Sequence, residues 1–403
     1  MARDMKRVSL FGYGITTKAL GSKLKNAIFY DDAVKEPYFD ENNFIIRPSK
    51  EFNPDFSDLE IPSPGMPPHH PLIRSAKHLI SEYDYFKDVM NLKIWISGTN
   101  GKTTTTQMTQ HLLKDKNSVA GGNIGTPLGS LDDQAPIWIL ETSSFTMHYT
   151  NEATPNIYVL LPLSPDHLSW HGSMQEYITA KLKPLSMMKK DTTAIIPDVY
   201  KDIQSQANII TYKDEADLAE YFGINIEKVN FKGAFLMDAL LAMAIDKIVF
   251  NRIEYDKINS FVLDPHRQEE FYDAQKRLWI NDTKATNLDA TIAAVKCYGD
   301  QFIHLILGGD DKGVDLNELF EFLKDKNLKI YAIGSNKDKL MTLAKNYHIN
   351  AHKCKDLVDA VNIIDKSLQL NQIALLSPAA ASLDEFNSYA HRGNLFKDTV
   401  IQL

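Results

Sequence analysis

The stretch ISGTNGKTTTT, residues 96–106, combines the residue types that bind the phosphates of a nucleotide. It follows the apolar run LKIWIS and precedes a predicted helix. At such a junction, the backbone N–H groups of the turn and the positive end of the helix favour a phosphate. Lys102 would add a charge for the outer phosphates, and the Thr103 hydroxyl would bind Mg²⁺. The stretch therefore predicts nucleotide binding rather than an ordinary glycine turn.

The glycine spacing differs from that of the common phosphate loop, which has four residues between its first glycine and the Gly-Lys pair. Here Gly98 and Gly101 are separated by two residues, and Ile96 occupies the place where the first glycine is expected. The loop therefore predicts an ATP site of an unusual kind and leaves the reaction open.

Three residues further along the chain could complete a magnesium site. Glu141 is predicted to end the strand IWILE, and His167 to end the next strand, in NIYVLLPLSPDH. Lys181 lies in the predicted helix MQEYITAKLKPL, which Pro184 is expected to limit. A strand-end carboxylate near the loop threonine is a natural Mg²⁺ ligand. Each residue also has an ordinary interpretation: a helix cap, a turn histidine and a solvated lysine. For Lys181 the sequence alone favours the ordinary one.

The elements that must position these side chains alternate between strand and helix, which predicts an α/β fold with doubly wound parallel sheets. In such sheets, ligands bind at the carboxyl ends of the strands. A chain of 403 residues exceeds one typical core, and we predict three domains. Their predicted ranges are 1–89, 90–264 and 265–403.

Charge, cysteine content and the length of apolar runs argue against several classes of protein. The net charge is −8 and no long basic block occurs, which argues against non-specific nucleic-acid binding. Cys297 and Cys354 are far apart, so a disulfide framework or thiolate metal site is not expected, and a reducing cytoplasm fits. The sequence shows neither a cleavable signal nor an apolar run of the roughly 18 residues that span a membrane. We expect a cytoplasmic monomer with small-molecule partners.

The segment GTNGKTTT, with its shortened glycine spacing, resembles the Mur ligase family, which also includes folylpolyglutamate synthase. LETSSF, DHLSWHG and YITAKL resemble the family segments that supply a Mg²⁺ glutamate, a Mg²⁺ histidine and a carbamylated lysine. Ser169 replaces the family's usual aspartate. The resemblance implies ATP and Mg²⁺ as cofactors and the catalytic residues Lys102, Glu141, His167 and Lys181. It also implies that Thr103, Glu141, His167 and Lys181, as its carbamate, bind the metal.

The resemblance also implies the residues that contact ATP. In the loop these are Gly98, Thr99, Asn100, Gly101, Lys102, Thr103 and Thr104. DPHRQE resembles the family's hinge, where Arg267 would reach the phosphates and His266 would set the hinge. NDTKATN resembles a segment in which Asp282 contacts the ribose and Lys284 the phosphates. Local sequence alone allows a charged linker and a capped turn at these places.

One family feature is missing. An HNxxN pair usually opens the apolar helix near Ala234, but the segment here is AFLMD, with Asp238 in place of the second asparagine. The adenine contacts are therefore left open.

The C-terminal segments LILGGDDKG and LLSPAAASLDEFNSYAHRGNLF resemble the family members that add D-glutamate. The D-glutamate contacts implied are Thr286, Lys312, Ser382 and Tyr389, the last in place of a phenylalanine. GYGITT and SPGMP imply a UDP-sugar site in the first domain, and GGNIGTPL implies a further contact. The UDP-sugar contacts implied are Gly12, Gly14, Ile15, Thr16, Asp31, Gly65, Asn123 and His167.

The resemblance implies Rossmann-like first and third domains around a central P-loop ATPase-like domain. It also implies that ATP-driven ligation joins D-glutamate to UDP-N-acetylmuramoyl-L-alanine through an acyl phosphate, in peptidoglycan precursor synthesis. The alternatives are another Mur-type ligase, a folylpolyglutamate synthase, and a P-loop ATPase or kinase without ligation. A catalytically dead binding subunit is a further alternative, which the intact lysine and acids argue against.

Overall fold

A computed structural model of the protein describes residues 7–24 and 26–403, and its strands form three sheets of five, six and six strands. All three sheets are mainly parallel and are flanked by helices, so the predicted α/β fold is confirmed. The chain divides into two compact units, Met1–Phe231 with Phe235–Phe261, and Lys232–Ala234 with Val262–Leu403. The first unit holds two of the sheets and the second unit holds the third. The three-domain boundaries remain a prediction.

The first sheet has the strand order β3-β4-β2-β1-β5, and only the β3–β4 pair is antiparallel. Its strands are β1 (Val8–Phe11), β2 (Ala27–Asp31), β3 (Tyr38–Phe39), β4 (Ile45–Pro48) and β5 (Leu59–Pro62). The helices of this part are α1 (Ile15–Lys23), α2 (Pro71–Ser75) and α3 (Glu82–Tyr85). Because β2 and β5 lie on opposite sides of β1, the strand order reverses there. The carboxyl end of β1 is therefore the place where such a sheet binds ligands.

The second sheet is entirely parallel, in the order β11-β10-β9-β6-β8-β7. Its strands are β6 (Leu92–Ser97), β7 (Ser118–Gly122), β8 (Ile137–Glu141), β9 (Ile157–Leu160), β10 (Thr193–Pro197) and β11 (Asn208–Tyr212). Its helices are α4 (Lys102–Leu113), α5 (Ser144–Tyr149), α6 (Leu168–His171), α7 (Met174–Met187), α8 (Glu215–Phe222), α9 (Ala234–Phe250) and α10 (Tyr255–Asn259). The central strand β6 lies between β8 and β9, so the loops after these three strands meet at one edge.

Two local predictions were wrong in this sheet. Strand β9 ends at Leu160, and His167 precedes α6 instead of ending the strand. Pro162 and Pro165 explain the early end, since proline lacks the N–H that a sheet requires. Helix α7 continues past Pro184 to Met187. The lost backbone hydrogen bond is offset because the turn beyond the proline buries Leu185 in the core.

The third sheet has the order β12-β13-β17-β14-β15-β16, with β12 alone antiparallel to its neighbour. Its strands are β12 (Glu269–Tyr272), β13 (Leu278–Asn281), β14 (Phe302–Gly308), β15 (Leu328–Ile333), β16 (Ala351–Lys353) and β17 (Gln372–Leu376). Its helices are α11 (Leu288–Tyr298), α12 (Asn317–Leu323), α13 (Lys337–Asn346), α14 (Leu357–Asp365) and α15 (Tyr389–Ile401). Strand β17 lies between β13 and β14, which brings the loops after these three strands together.

The first two sheets share a hydrophobic core. Leu10 and Phe29 of the first sheet belong to the same buried cluster as Trp95 and Trp138 of the second. Gly129 adds a close backbone contact, because a Cβ placed on it would lie 2.7 Å from the carbonyl carbon of Ala19 in α1. The first unit is therefore held together by apolar packing across both sheets. Among the described residues, no helix is long and apolar enough to span a membrane.

Candidate active site

The predicted phosphate loop lies between β6 and α4, and its glycines are required by the backbone. Gly98 and Gly101 have φ angles of 151° and 81°, values that favour glycine. A Cβ on Gly98 would lie 2.5 Å from the Cβ of Leu161, and a Cβ on Gly101 would meet Oδ1 of Asp238. Gly101 precedes the first turn of α4, whose N–H groups lack intrahelical acceptors. The local geometry is that of an anion-binding helix start.

Asp238 supports this loop from α9. Its carboxylate is buried, and Oδ1 accepts a hydrogen bond of 2.9 Å from the Thr105 hydroxyl in α4. The residue that marked a departure from the family pattern therefore contacts the phosphate-loop helix in this protein.

The side chain of Lys102 folds back onto the predicted phosphate loop. Its Nζ donates to the carbonyl oxygens of Gly98 and Thr99 at 3.0 and 2.7 Å. These bonds hold the ammonium group within the turn, where a phosphate charge would be neutralised.

Thr103 and Glu141 meet at the edge of the sheet, as the metal-site prediction required. The Thr103 hydroxyl donates to Oε2 of Glu141 at 2.8 Å, and the Asn123 amide donates to Oε1 at 2.7 Å. Glu141 is 2% exposed, and both of these donors are neutral. A buried carboxylate with neutral donors beside a hydroxyl is an oxygen-rich environment that fits Mg²⁺.

Lys181 reaches the same loop from α7. Its side chain is fully buried, and Nζ donates to the Ser97 hydroxyl at 3.1 Å and to the Gly98 carbonyl at 2.8 Å. Burial lowers the pKa of Lys181 well below its usual value, and the nearby charge of Lys102 lowers it further. The amine is therefore readily neutral, which is the form that reacts with CO₂ to give a carbamate.

His167 lies on a more open part of this edge. Its φ angle is 53°, its Nε2 is 3.3 Å from Oδ2 of Asp166, and its ring centroid is 4.7 Å from that of Phe145. Within the described chain, no three His, Cys, Asp or Glu side chains form a metal-binding group. A metal at this edge would therefore also use hydroxyl or carbamate oxygens, as the predicted ligand set does.

Six of the eight predicted UDP-sugar residues lie at the carboxyl edge of the first sheet, whereas Asn123 follows β7 and His167 precedes α6 beside the second sheet. Gly12 has a φ angle of 85°, and a Cβ there would be 3.2 Å from that of Ser63. Asp31 accepts a hydrogen bond from the Tyr13 N–H at 2.7 Å. Gly14 precedes α1, whose first residue, Ile15, is 73% exposed, and Thr16 follows it half-buried. The structure brings these six residues to one edge.

A cavity of about 550 Å³ adjoins this edge, and it includes residues that the sequence did not indicate. Tyr13 and Asp31 line it together with Lys35 and Tyr38. Its volume lies within the range of small-molecule sites. Lys35 and Tyr38 lie in a loop and a short edge strand, where no motif marks them.

Asp282, one of the predicted nucleotide residues of the second unit, has a buried carboxylate. Asp282 accepts hydrogen bonds from the Ser377 hydroxyl at 2.8 Å and the Gln268 N–H at 3.2 Å. Burial raises the pKa of Asp282 to about 7, and the hydrogen bonds from Ser377 and Gln268, followed by the charge of Arg267, oppose that rise. Lys284 places its Nζ 3.9 Å from the ring centroid of Tyr389. One predicted ATP contact and one predicted D-glutamate contact are thus neighbours.

The other predicted D-glutamate residues lie on neighbouring loops. Lys312 is exposed, with a φ angle of 51°, and Thr286 is exposed as well. Ser382 is 3% exposed and accepts the Phe386 N–H through its backbone carbonyl. The arrangement leaves one lysine and one threonine open to a ligand.

Arg392, which the sequence reasoning missed, fastens these loops together. It is fully buried and donates to four backbone carbonyls, with a further bond of 2.8 Å to the Thr283 hydroxyl. The four carbonyls belong to Thr283, Gly308, Ala380 and Ala381. Because its acceptors are backbone groups, no spacing pattern in the sequence reveals this role.

Comparison with known proteins places the chain among ligases. Residues 96–246 match the Mur ligase middle domain. A UDP-N-acetylmuramoylalanine–D-glutamate ligase from Campylobacter jejuni is 53% identical, with 98% of this chain and 99% of that protein covered. The enzyme of the same name from Helicobacter pylori is 46% identical, with 98% and 100% covered.

Solved structures show the same fold at low identity. The MurF ligase from Thermotoga maritima in complex with ADP has a TM-score of 0.62 at 14% identity, covering 99% of this chain and 96% of that one. A Mycobacterium tuberculosis folylpolyglutamate synthase complexed with ADP and AMPPCP has a TM-score of 0.53 at 14% identity, covering 78% and 93%. Taken with the full-length relatives, the sheet edge that gathers Lys102, Glu141 and Lys181 identifies the chain as a member of the Mur ligase family.

Proposed function

We propose that this chain is an ATP-dependent, amide-forming ligase that joins D-glutamate to UDP-N-acetylmuramoyl-L-alanine in cytoplasmic peptidoglycan precursor synthesis. The observation that carries the proposal is the convergence of Lys102, Glu141 and Lys181 on one phosphate loop. The names of the full-length relatives support the choice of substrates. We further propose that the enzyme acts as a monomer.

The proposed division of labour follows the three sheets. Residues 1–89 would bind the UDP-sugar, residues 90–264 would bind ATP, and residues 265–403 would bind D-glutamate. Arg267, Asp282 and Lys284 would add ATP contacts from the second unit. The contacts described above within each unit support these proposed assignments.

Lys102 would neutralise the negative charge of the phosphates during phosphoryl transfer. The L-alanine carboxylate attacks the γ-phosphorus of ATP, the bond to the bridging oxygen breaks, and ADP leaves. Such a transfer needs positioning and charge neutralisation more than covalent help. Two carbonyls hold the Lys102 ammonium in the loop where the phosphates are proposed to bind.

Thr103, Glu141, His167 and carbamylated Lys181 would hold Mg²⁺. When bound, Mg²⁺ would neutralise phosphate charge and align the phosphates. Carbamylation adds CO₂ to the neutral Lys181 amine and releases one proton, which turns a neutral amine into an anionic oxygen ligand. The buried position of Lys181 supports this step, because burial disfavours the ammonium form.

The D-glutamate site would complete the reaction. Lys312 would pair with a carboxylate of the amino acid, and Ser382 would donate a hydrogen bond to the same group. Thr286 and Tyr389 would border it. The amine of D-glutamate attacks the acyl phosphate, and the tetrahedral intermediate collapses with loss of inorganic phosphate.

One assay tests the proposal. The purified protein is incubated with ATP, Mg²⁺ and UDP-N-acetylmuramoyl-L-alanine, and phosphate release is measured against a panel of amino acids. We expect release that depends on D-glutamate and on the UDP-sugar. Release without any amino acid would instead indicate an ATPase or kinase, and release when a folate replaces the UDP-sugar would indicate a folylpolyglutamate synthase.

A further inference from the structure

The loop of residues 63–67 is fastened to the central part of the first unit by two side chains. The Trp170 indole N–H donates to the carbonyl of Gly65 at 3.0 Å, and the Tyr149 hydroxyl donates to the carbonyl of Met66 at 2.6 Å. Successive carbonyls of one short loop are thus held by donors from α6 and α5. These donors are 105 and 83 residues away in the sequence.

The loop that these donors hold lies beside the glycine turn after β1. The Ser63 N–H donates to the Phe11 carbonyl at 2.7 Å, and Ser63 contacts the position of a Cβ on Gly12. Gly65 is exposed, and a Cβ placed there would have no atom within 4 Å. The outer side of the loop is therefore open to a ligand at the edge where the UDP-sugar is proposed to bind.

Tyr149 and Trp170 also belong to an aromatic cluster that reaches the metal side of the site. Phe145 has ring centroids 4.6 Å from Trp170 and 4.7 Å from His167, and the rings of Tyr149 and Trp170 are 6.0 Å apart. Trp170 lies three residues after His167, in the helix that His167 precedes. The rings that hold the 63–67 loop are therefore linked to His167 through the ring of Phe145.

We infer that Tyr149 and Trp170, which we call the aromatic clamp, are positioning residues that set the 63–67 loop for the UDP-sugar relative to His167. The inference rests on the proposed function. The clamp acts through the loop backbone, so neither residue needs to touch the reacting atoms. Its role is to fix the position of the 63–67 loop, where the UDP-sugar is proposed to bind, relative to His167, which is proposed to bind the metal.

The decisive variants are Trp170→Phe and Tyr149→Phe, because each keeps a ring in the cluster and removes the donor. We expect each to raise KM for UDP-N-acetylmuramoyl-L-alanine about three- to tenfold, the effect of one lost neutral hydrogen bond. We expect KM for ATP and for D-glutamate to stay within about twofold. In the double variant, the factor by which KM for the UDP-sugar rises should differ from the product of the two single-variant factors, because both hydrogen bonds hold the same loop.

Trp138→Phe is the matched control. Trp138 also donates its indole N–H to a backbone carbonyl, that of Asp132 at 3.0 Å, but it lies in the core of the same unit. This variant should lower the melting temperature and leave KM for the UDP-sugar unchanged. If Trp170→Phe behaves like Trp138→Phe, or raises all three KM values alike, the role is only structural and the inference is wrong.

Tryptophan fluorescence gives a second readout that does not require turnover. Of the four tryptophans, Trp95, Trp138 and Trp279 are fully buried, whereas Trp170 is partly exposed beside the loop. Adding UDP-N-acetylmuramoyl-L-alanine without ATP should change the emission of the native protein and should not change that of Trp170→Phe. An equal change in both proteins would overturn the inference.

The two proposals fail in different ways. A native protein that releases no phosphate with UDP-N-acetylmuramoyl-L-alanine and D-glutamate contradicts the proposed function. An active native protein whose two phenylalanine variants keep the native KM for the UDP-sugar contradicts the clamp alone.

Discussion

Lys102 and Lys181 donate to the same acceptor, the carbonyl oxygen of Gly98, at 3.0 and 2.8 Å. Two ammonium groups on one carbonyl repel each other, and the buried one also loses its hydration. Both effects lower the pKa of Lys181, burial being the larger. The phosphate loop thus has one lysine placed for phosphate and a second lysine favoured in its neutral form.

The enzyme should need CO₂ for activity, because Lys181 is proposed to act as its carbamate. Because its pKa lies well below the usual lysine value, a neutral amine is available without strongly alkaline pH. We expect phosphate release to fall in CO₂-depleted buffer and to return when bicarbonate is added. Lys181→Gln should be inactive in both buffers. Lys183→Gln, on the same helix, should keep the native response to bicarbonate, and a native enzyme indifferent to CO₂ would disprove the carbamate.

Lys102→Ala should reduce turnover more than it reduces ATP binding. A charge-assisted phosphate contact contributes about 1.5–3 kcal/mol in the ground state. Removing one donor that stabilises a developing charge typically costs about 10²–10³-fold in kcat. Steady-state kinetics and nucleotide binding measure the two effects separately. Lys114→Ala, at the exposed end of the same helix region, is the control, and near-native turnover of Lys102→Ala would refute the assignment.

Arg392→Met should impair D-glutamate binding in particular. The change removes the arginine donor from four carbonyls of the loops around the proposed D-glutamate site, and of these the Ala381 carbonyl still accepts the Asp310 N–H. We expect a loss of about 3 kcal/mol or more in stability and at least about a tenfold rise in KM for D-glutamate. Calorimetry and kinetics measure these effects, with exposed His391→Ala as the control. A stable variant with unchanged KM for D-glutamate would show that the loops hold without the arginine.

Glu82 should make the first unit less stable as pH rises. Its buried carboxylate accepts the Gly129 N–H at 3.2 Å, and burial raises its pKa to about 7. The folded state therefore binds more protons than the unfolded state between the ordinary glutamate pKa and about pH 7. The free energy of unfolding falls through that window and is level above it.

Glu82→Gln tests this pH dependence, because it keeps the acceptor oxygen and removes the titration. On going from pH 5 to pH 8, the free energy of unfolding of the variant should rise by about 2 kcal/mol relative to that of the native protein. Thermal unfolding at both pH values measures the gain. Glu152→Gln, an exposed residue, should show no such gain. Parallel pH profiles for the native protein and Glu82→Gln would contradict the raised pKa.

Sequence patterns predicted the fold well where strands are apolar throughout. Strands such as β6, β8 and β14 are buried on both faces, so their composition marks them. Strand β7, with sequence SVAGG, was missed because its glycines and small residues carry no such signal. The position of His167 was wrong because two prolines end the preceding strand early.

The site was predictable only where local motifs carry the chemistry. The loop residues Lys102 and Thr103 follow from one short segment, and strand ends directed attention to Glu141. Trp170, Tyr149 and Arg392 donate to backbone carbonyls that lie 105, 83 and 109 residues away in the sequence, and any residue can supply a carbonyl. Such contacts leave no spacing pattern, so only the folded chain reveals them.

The apolar cluster that joins the first two sheets bears on how this protein can be dissected in the laboratory. A fragment starting at residue 90 would present Trp95 and Trp138 to water without the side chains of Leu10 and Phe29 that belong to their cluster. Such a fragment would tend to aggregate when expressed. Truncations aimed at the ATP-binding part should therefore retain the N-terminal sheet.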